Sequence, residues 1–334
     1  MNNTAIMNSN IITGVFSNGN FRQPTVRETN NFANRNVPWS GVGVDISNAS
    51  CTDEAIAMAG LNWELGQSTV EVNGMVVPKY LATVRADTGK VLGITKDNYR
   101  PIQNADAFRF ADSLIDQGCT FDKGGCYKGG ELIWFLLKMP KVNICGEEHQ
   151  MYMFLMNGNN GKSSLYAAFT TIRALCCNMA HLVAKHATYK VKIQHRGDVE
   201  GKMYEAREIM ASASVYFDGA KHTMEELANI SLPRTEMAKV IQFLIPDAPE
   251  SASERTKETV VDKRNQIWNI IDNAPDLQNF GWNGLRLVNA ITDYESHGIP
   301  KRMTSNFAEN RLMNLATKPM MADKAVDYLR EMAV

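Results

Sequence analysis

The chain has 334 residues, of which 44% are hydrophobic and 21% charged, enough to bury a sizeable core as one large domain or two smaller ones. Its formal net charge of −1 excludes any case for nucleic-acid binding from global charge, so such a case must come from local distribution. No run of about 18 apolar residues argues for a membrane span, the N-terminus lacks the basic-then-apolar pattern of a secretory signal, and the six scattered cysteines without a Cys-x-x-Cys pair point to a reducing cytoplasm rather than a disulfide framework.

Residues 1–36 hold ten asparagines and no apolar periodicity, which reads as a disordered or loosely draped arm. Ser50 to Gly60 reads as a short helix that Thr52 can cap, with Asp53 and Glu54 in its first turn and Gly60 at its end. Trp63 to Val77 has strand character with a hairpin signal at Asn73-Gly74, and a second hairpin follows over Tyr80–Ala86 and Val91–Thr95. Asn104 is placed to cap a helix reaching Gln117, with Ala107, Phe110, Ala111 and Leu114 on one face. Leu132 to Met139 is a strand ended by Pro140.

Tyr152–Met156 and Leu165–Cys177 are apolar runs on either side of the turn-rich Asn157–Ser164. Asn178 to Ala187 reads as a helix, and Tyr189–Ile193 alternates apolar and basic residues with the period of a strand. From Val199 the pattern turns helical. Further helices are expected over Arg234–Leu244, Lys257–Asp272, Trp282–His297 and Pro319–Ala333, with Asp247–Glu254 as a linker. Strands first and helices later indicate an α+β fold, a largely antiparallel sheet of β-hairpins packed by helices, with a helical C-terminal third. The organisation expected is an arm over 1–36, an α+β domain over 37–217 and a mainly helical region over 218–334.

Several segments carry a resemblance in the same order. They are Trp63 with Leu65, Ala82–Arg85 to Leu92-Gly93, Tyr99-Arg100-Pro101-Ile102-Gln103-Asn104, Ile172–Asn178, Ile193-Gln194-His195 and Val288–Tyr294. Over roughly residues 50–330 the chain resembles the phage/plasmid-like protein family, a domain of unknown function carried by bacteriophages and plasmids. The resemblance implies a mobile-element origin but supplies no catalytic residues. By analogy of plan it extends to phage single-strand annealing proteins.

Three motifs compete for the chemistry. Gly161-Lys162-Ser163 ends like a phosphate-binding loop, but Met156 stands where the pattern needs glycine and the following residues suit a returning strand. His181 and His186 are five apart, the wrong spacing for a shared helical face, and the other histidines are isolated, so no metal site is expected. Asp198, Glu200 and Lys202 could serve a Mg²⁺-dependent nuclease, yet no aspartate lies between Asp122 and Asp198 to complete it. No cofactor and no catalytic constellation is expected.

The basic segment remains. From Arg173 to Arg207 seven basic residues face three acids, a local balance of +4. Lys190 and Lys192 share one side of a strand, with Arg196 beyond, so a phosphate backbone can run along them. Tyr189 and Tyr204 can stack on bases. The expected nucleic-acid-binding set is Arg173, Lys185, Tyr189, Lys190, Lys192, His195, Arg196, Lys202, Tyr204 and Arg207. The function expected is single-stranded DNA binding or annealing in recombination or replication, by a homo-oligomer in the host cytoplasm. The alternatives are an interaction or assembly factor, such as a host-system inhibitor, and the nuclease.

Overall fold

The computed structural model describes residues 15–17, 20–22, 42–144, 147–173, 179–180, 190–193, 195, 213–298, 300, 306–318 and 320–332. The fold is α+β, with antiparallel sheets in the N-terminal half and helices in the C-terminal third. Within the Asn-rich arm β1 (Val15–Ser17) and β2 (Asn20–Arg22) pair as a small hairpin, where sequence reasoning expects no regular structure.

In chain order, β3 (Val44–Asp45) precedes α1 (Thr52–Met58). Thr52 does not cap that helix. It is buried inside the first turn, and its amide and hydroxyl both donate to the Asp112 carboxylate, at 2.6 and 2.7 Å. The two hairpins expected next share their middle strand. β4 (Leu65–Val72), β5 (Met75–Arg85) and β6 (Val91–Lys96) make one three-stranded meander. Its tight turn sits at Asn73-Gly74, where both residues take positive φ, 52° and 76°, as the strand twist demands.

The helix expected from Asn104 to Gln117 is two short ones, α2 (Asn104–Phe108) and α3 (Ala111–Ile115). The α-helical ladder lapses between them, where the Asp112 amide donates to Arg109 O in the tighter three-residue pattern. Asn104 does not cap α2 either. Its carboxamide reaches across to Leu61 O and Trp63 O.

The central sheet comes next. It is built from β7 (Thr120–Tyr127), β8 (Leu132–Lys138), β9 (Val142–Ile144), β10 (Glu147–Gly158), β11 (Leu165–Arg173), β12 (Met179–Ala180) and β13 (Lys190–Ile193), with β3 at one edge. Its order is β12-β11-β10-β8-β7-β3, all antiparallel. Strand β13 also lies on β11, and β9 also lies on β10. Met179 and Ala180, expected in a helix, pair instead with Ile172 and Thr171. The rest of that expected helix lies outside the described residues.

Strand alternation splits this sheet between two cores. Ile133, Phe135 and Leu137 of β8, with Met151, Met153 and Leu155 of β10, pack with α1, α2, α3 and part of the meander. Trp134 and Leu136, with Tyr152, Phe154 and Met156, face the C-terminal helices. Those helices are α4 (Ala213–Asn229), α5 (Arg234–Leu244), α6 (Glu254–Asn273), α7 (Gly284–His297), α8 (Phe307–Thr317) and α9 (Met321–Met332). The boundary expected between 217 and 218 falls inside α4.

Side chains set the helix ends. Ser253 Oγ accepts from the Thr256 amide at the start of α6, and Asn283 Oδ1 accepts from the Arg286 amide at the start of α7. The first turn of α9 is capped from another helix, since the Glu295 carboxylate of α7 accepts from the Met321 and Ala322 amides at 2.6 and 3.1 Å. Burial in that place raises the Glu295 pKa to about 7.

The meander docks on the β10–β11 turn through glycine. A Cβ on Gly93 would lie 2.3 Å from Asn160 O, whereas one on Gly66 would meet nothing closer than Val84 Cγ2 at 3.4 Å. Gly93→Ala is therefore expected to cost about 1–3 kcal/mol in urea unfolding, and Gly66→Ala much less. Equal midpoints for the two variants would refute this account of the docking.

Candidate nucleic-acid interface

Asn157–Ser164 closes the hairpin between β10 and β11 and does not open a helix. Asn160 Oδ1 accepts from the Lys162 and Ser163 amides, both at 2.9 Å, and Gly161 takes φ of 70°. A side chain therefore turns the backbone, and glycine supplies the left-handed position. The phosphate-loop reading has no geometric basis here.

A polar clamp surrounds this turn. Asn157 and Asn159 are buried, and Asn157 Nδ2 donates to Asn159 Oδ1. Asn159 Nδ2 donates to Gly130 O, and the Tyr99 hydroxyl donates to Gly158 O at 3.0 Å. Gln103 exchanges two hydrogen bonds with the main chain of Leu65, at 2.9 and 3.0 Å, as a neighbouring strand would. Desolvation raises the Tyr99 pKa, so its hydroxyl stays a donor. The Tyr99–Asn104 segment is thus a clamp between meander, turn and helices.

The basic strand runs beside this clamp. Strand β13 pairs antiparallel with β11, setting Ile193 opposite Leu165, Lys192 opposite Tyr166 and Lys190 opposite Ala168. Ile193 and Leu165 are buried together in the core beneath α2 and α3. Tyr166, the register partner of residue 192, packs against the C-terminal helical core. Among the described residues β13 pairs with β11 alone, so it lies at a rim of the central sheet.

His195 departs from expectation. It is 3% exposed, and its ring stacks on Tyr99 with centroids 5.1 Å apart and planes 4° from parallel. Neither ring nitrogen has a hydrogen-bond partner. Desolvation holds its pKa down at about 4. A buried, neutral imidazole is no phosphate contact, so His195 belongs to the packing behind β13. Its apolar-basic surroundings in sequence give no sign of this. The signal is Tyr99, far away in the chain.

Of the remaining expected contacts, Arg173 lies in β11 opposite His149, seven residues from Tyr166 along the same strand. Lys185, Tyr189, Arg196, Lys202, Tyr204 and Arg207 lie outside the described residues, as do Asp198 and Glu200. Among the described residues no group of three or more His, Cys, Asp or Glu is placed to hold a metal, and no helix is long and apolar enough to cross a membrane. His297 Nδ1 instead lies 3.0 Å from Asp293 Oδ1, one turn back on α7.

The histidine yields a pH test. Unfolded chains protonate near the ordinary 6.5 and the folded ring only near 4, so its contribution is present above pH 6.5 and lost as pH falls toward 4. The difference amounts to roughly 3 kcal/mol. His195→Phe keeps the stacked ring without the unpartnered nitrogens. The variant is expected to match or exceed the parent at pH 7.5 and to gain on it steadily down to pH 4. A constant stability difference across that range would show that His195 is accessible to protons.

Comparison of the chain with curated proteins gave no match, and neither did comparison with solved structures. Residues 91–317, about two thirds of the chain, match the model of a family described as a domain of unknown function, DUF932. That description carries no activity and no phage or annealing role. The match begins at β6 and ends at α8, taking in strands β7 to β13 of the central sheet, the Tyr99–Asn104 clamp and helices α4 to α7: the chain belongs to the DUF932 family.

Proposed function

We propose that the chain binds single-stranded nucleic acid, DNA in the first instance, along β13 and the basic segment around it. On this reading it captures strands for annealing in recombination or replication, as a homo-oligomer and without a catalytic step. The observation that carries the reading is the rim position of β13. A strand bearing Lys190 and Lys192 at a sheet edge can follow a phosphate backbone, which an interior strand cannot. Its anchoring suits the role, because Ile193 and the Tyr99–His195 stack fix the strand from the core side.

A second reading, an interaction or assembly factor, draws on the meander. Val72, Met75, Val76, Tyr80, Val91 and Ile94 expose 43–69% of their surface on those three strands, and clustered apolar exposure commonly marks a protein contact.

Fluorescence anisotropy of a labelled single-stranded oligonucleotide separates the two. Micromolar binding is expected, falling with added salt and lost in Lys190→Glu/Lys192→Glu, with no requirement for Mg²⁺. Unchanged anisotropy at low salt would leave the interaction reading standing.

A further inference from the structure

Helices α5 and α6 enclose a groove of about 490 Å³, within the range of small-molecule sites and unrelated to the basic strand. Its walls combine an indole, two arginines and short polar side chains. Arg234 of α5 lies 4.2 Å over the ring of Trp268. A two-pronged contact with Asp272, at 2.5 and 3.0 Å, fixes the plane of its guanidinium. Arg264 is fixed as firmly, donating to Ile245 O twice and to Asp247 once.

This much would serve as a staple between helices. The inventory of hydrogen-bond donors goes further. A guanidinium carries five N–H donors. Arg234 gives two to Asp272, which leaves three, and Arg264 gives three to Ile245 and Asp247, which leaves two. Among the described residues the indole N–H of Trp268 and the hydroxyl of Thr235 have no partner in the protein, and both residues line the groove. Rigid, uncommitted donors beside a hollow call for a ligand rich in acceptors. Arginine forks match phosphate and carboxylate geometry best. Val261, 39% exposed, and Ala238 supply an apolar stretch of the same wall, which a bare inorganic anion would leave uncovered.

We infer that this groove binds a phosphomonoester carried on a planar ring, the chemistry of a nucleoside monophosphate. The phosphate meets Arg234, and the ring lies along Trp268 and Val261 toward Arg264. Asp272 and Asp247 balance the two arginine charges, so recognition rests on directed hydrogen bonds more than on net charge. Its salt dependence is correspondingly slight, unlike that of a polycationic strand.

Titration calorimetry on the full chain tests this with AMP, adenosine and inorganic phosphate. AMP is expected to bind one site per chain, at least tenfold tighter than either fragment. Arg234→Lys, which keeps the charge and loses the fork, should weaken AMP at least tenfold. Ala238→Phe, at an exposed position on α5, fills the groove without touching the Arg234–Asp272 pair and should abolish binding while leaving thermal unfolding unchanged. Lys190→Glu/Lys192→Glu should leave AMP affinity unaltered, so failure of the strand reading and failure of the groove are distinguishable. No saturable heat with AMP overturns the inference. Phosphate binding as tightly as AMP reveals an adventitious ion only, and adenosine binding as tightly removes the role given to the arginines.

Discussion

Everything in this fold hangs on a sheet that is buried on both faces. Strands β8 and β10 alternate strictly, so that Trp134, Leu136 and Phe154 go to one core and Ile133, Phe135 and Leu155 to the other. Each fully buried aromatic or aliphatic side chain contributes about 1.5–3 kcal/mol, and both sets depend on a single register. A slip of one residue would exchange the two sets and ruin both cores together. The helices behind each face differ in length and composition, so the exchange cannot be repaired by repacking.

The second constraint is polar. Among the described residues no strand of the meander pairs with the central sheet. The meander is held by side chains that imitate main chain, Gln103 on Leu65 and Asn104 on Leu61 and Trp63. Carboxamides suit this work because each carries both donor and acceptor. The same residues form the Tyr99–Asn104 segment that, with several others, carries the family resemblance. Within it Gln103 and Asn104 spend their carboxamides on holding the fold.

Much of this was legible from residue order. The helices α5, α6 and α7 followed from apolar spacing, and the β10–β11 hairpin followed from a turn dense in Asn and Gly between two apolar runs. Strand β7 has a faint signal in the sequence, because Asp122, Lys123, Gly124 and Gly125 interrupt its apolar residues. Its glycines serve close approach, since a Cβ on Gly124 would lie 2.8 Å from the Phe135 ring. At the start of α3, Asp112 bonds to Thr52, sixty positions away, a contact that no local window contains. Helix α8 carries Ala308, Leu312 and Leu315 at i, i+4 and i+7, a short pattern that is easily passed over. For the candidate interface, strand and edge position fit the alternation of 189–193, whereas the burial of His195 was decided by its distant stacking partner. The α5–α6 groove has no motif at all. It arises where two independently legible helices meet.

The doubly buried sheet also has a consequence for synthesis. Strand β10 is complete at Gly158, but α7, which supplies five residues to the core on the Phe154 face, ends at His297. The ribosome adds roughly 5–20 residues per second, so that face of the nascent chain waits on the order of ten seconds or more for its cover. Until then Trp134 and Phe154, which stack on one another, lack the part of their core that α7 supplies. Yield in the cell should consequently respond to elongation speed and chaperone supply more than the stability of the finished protein would imply.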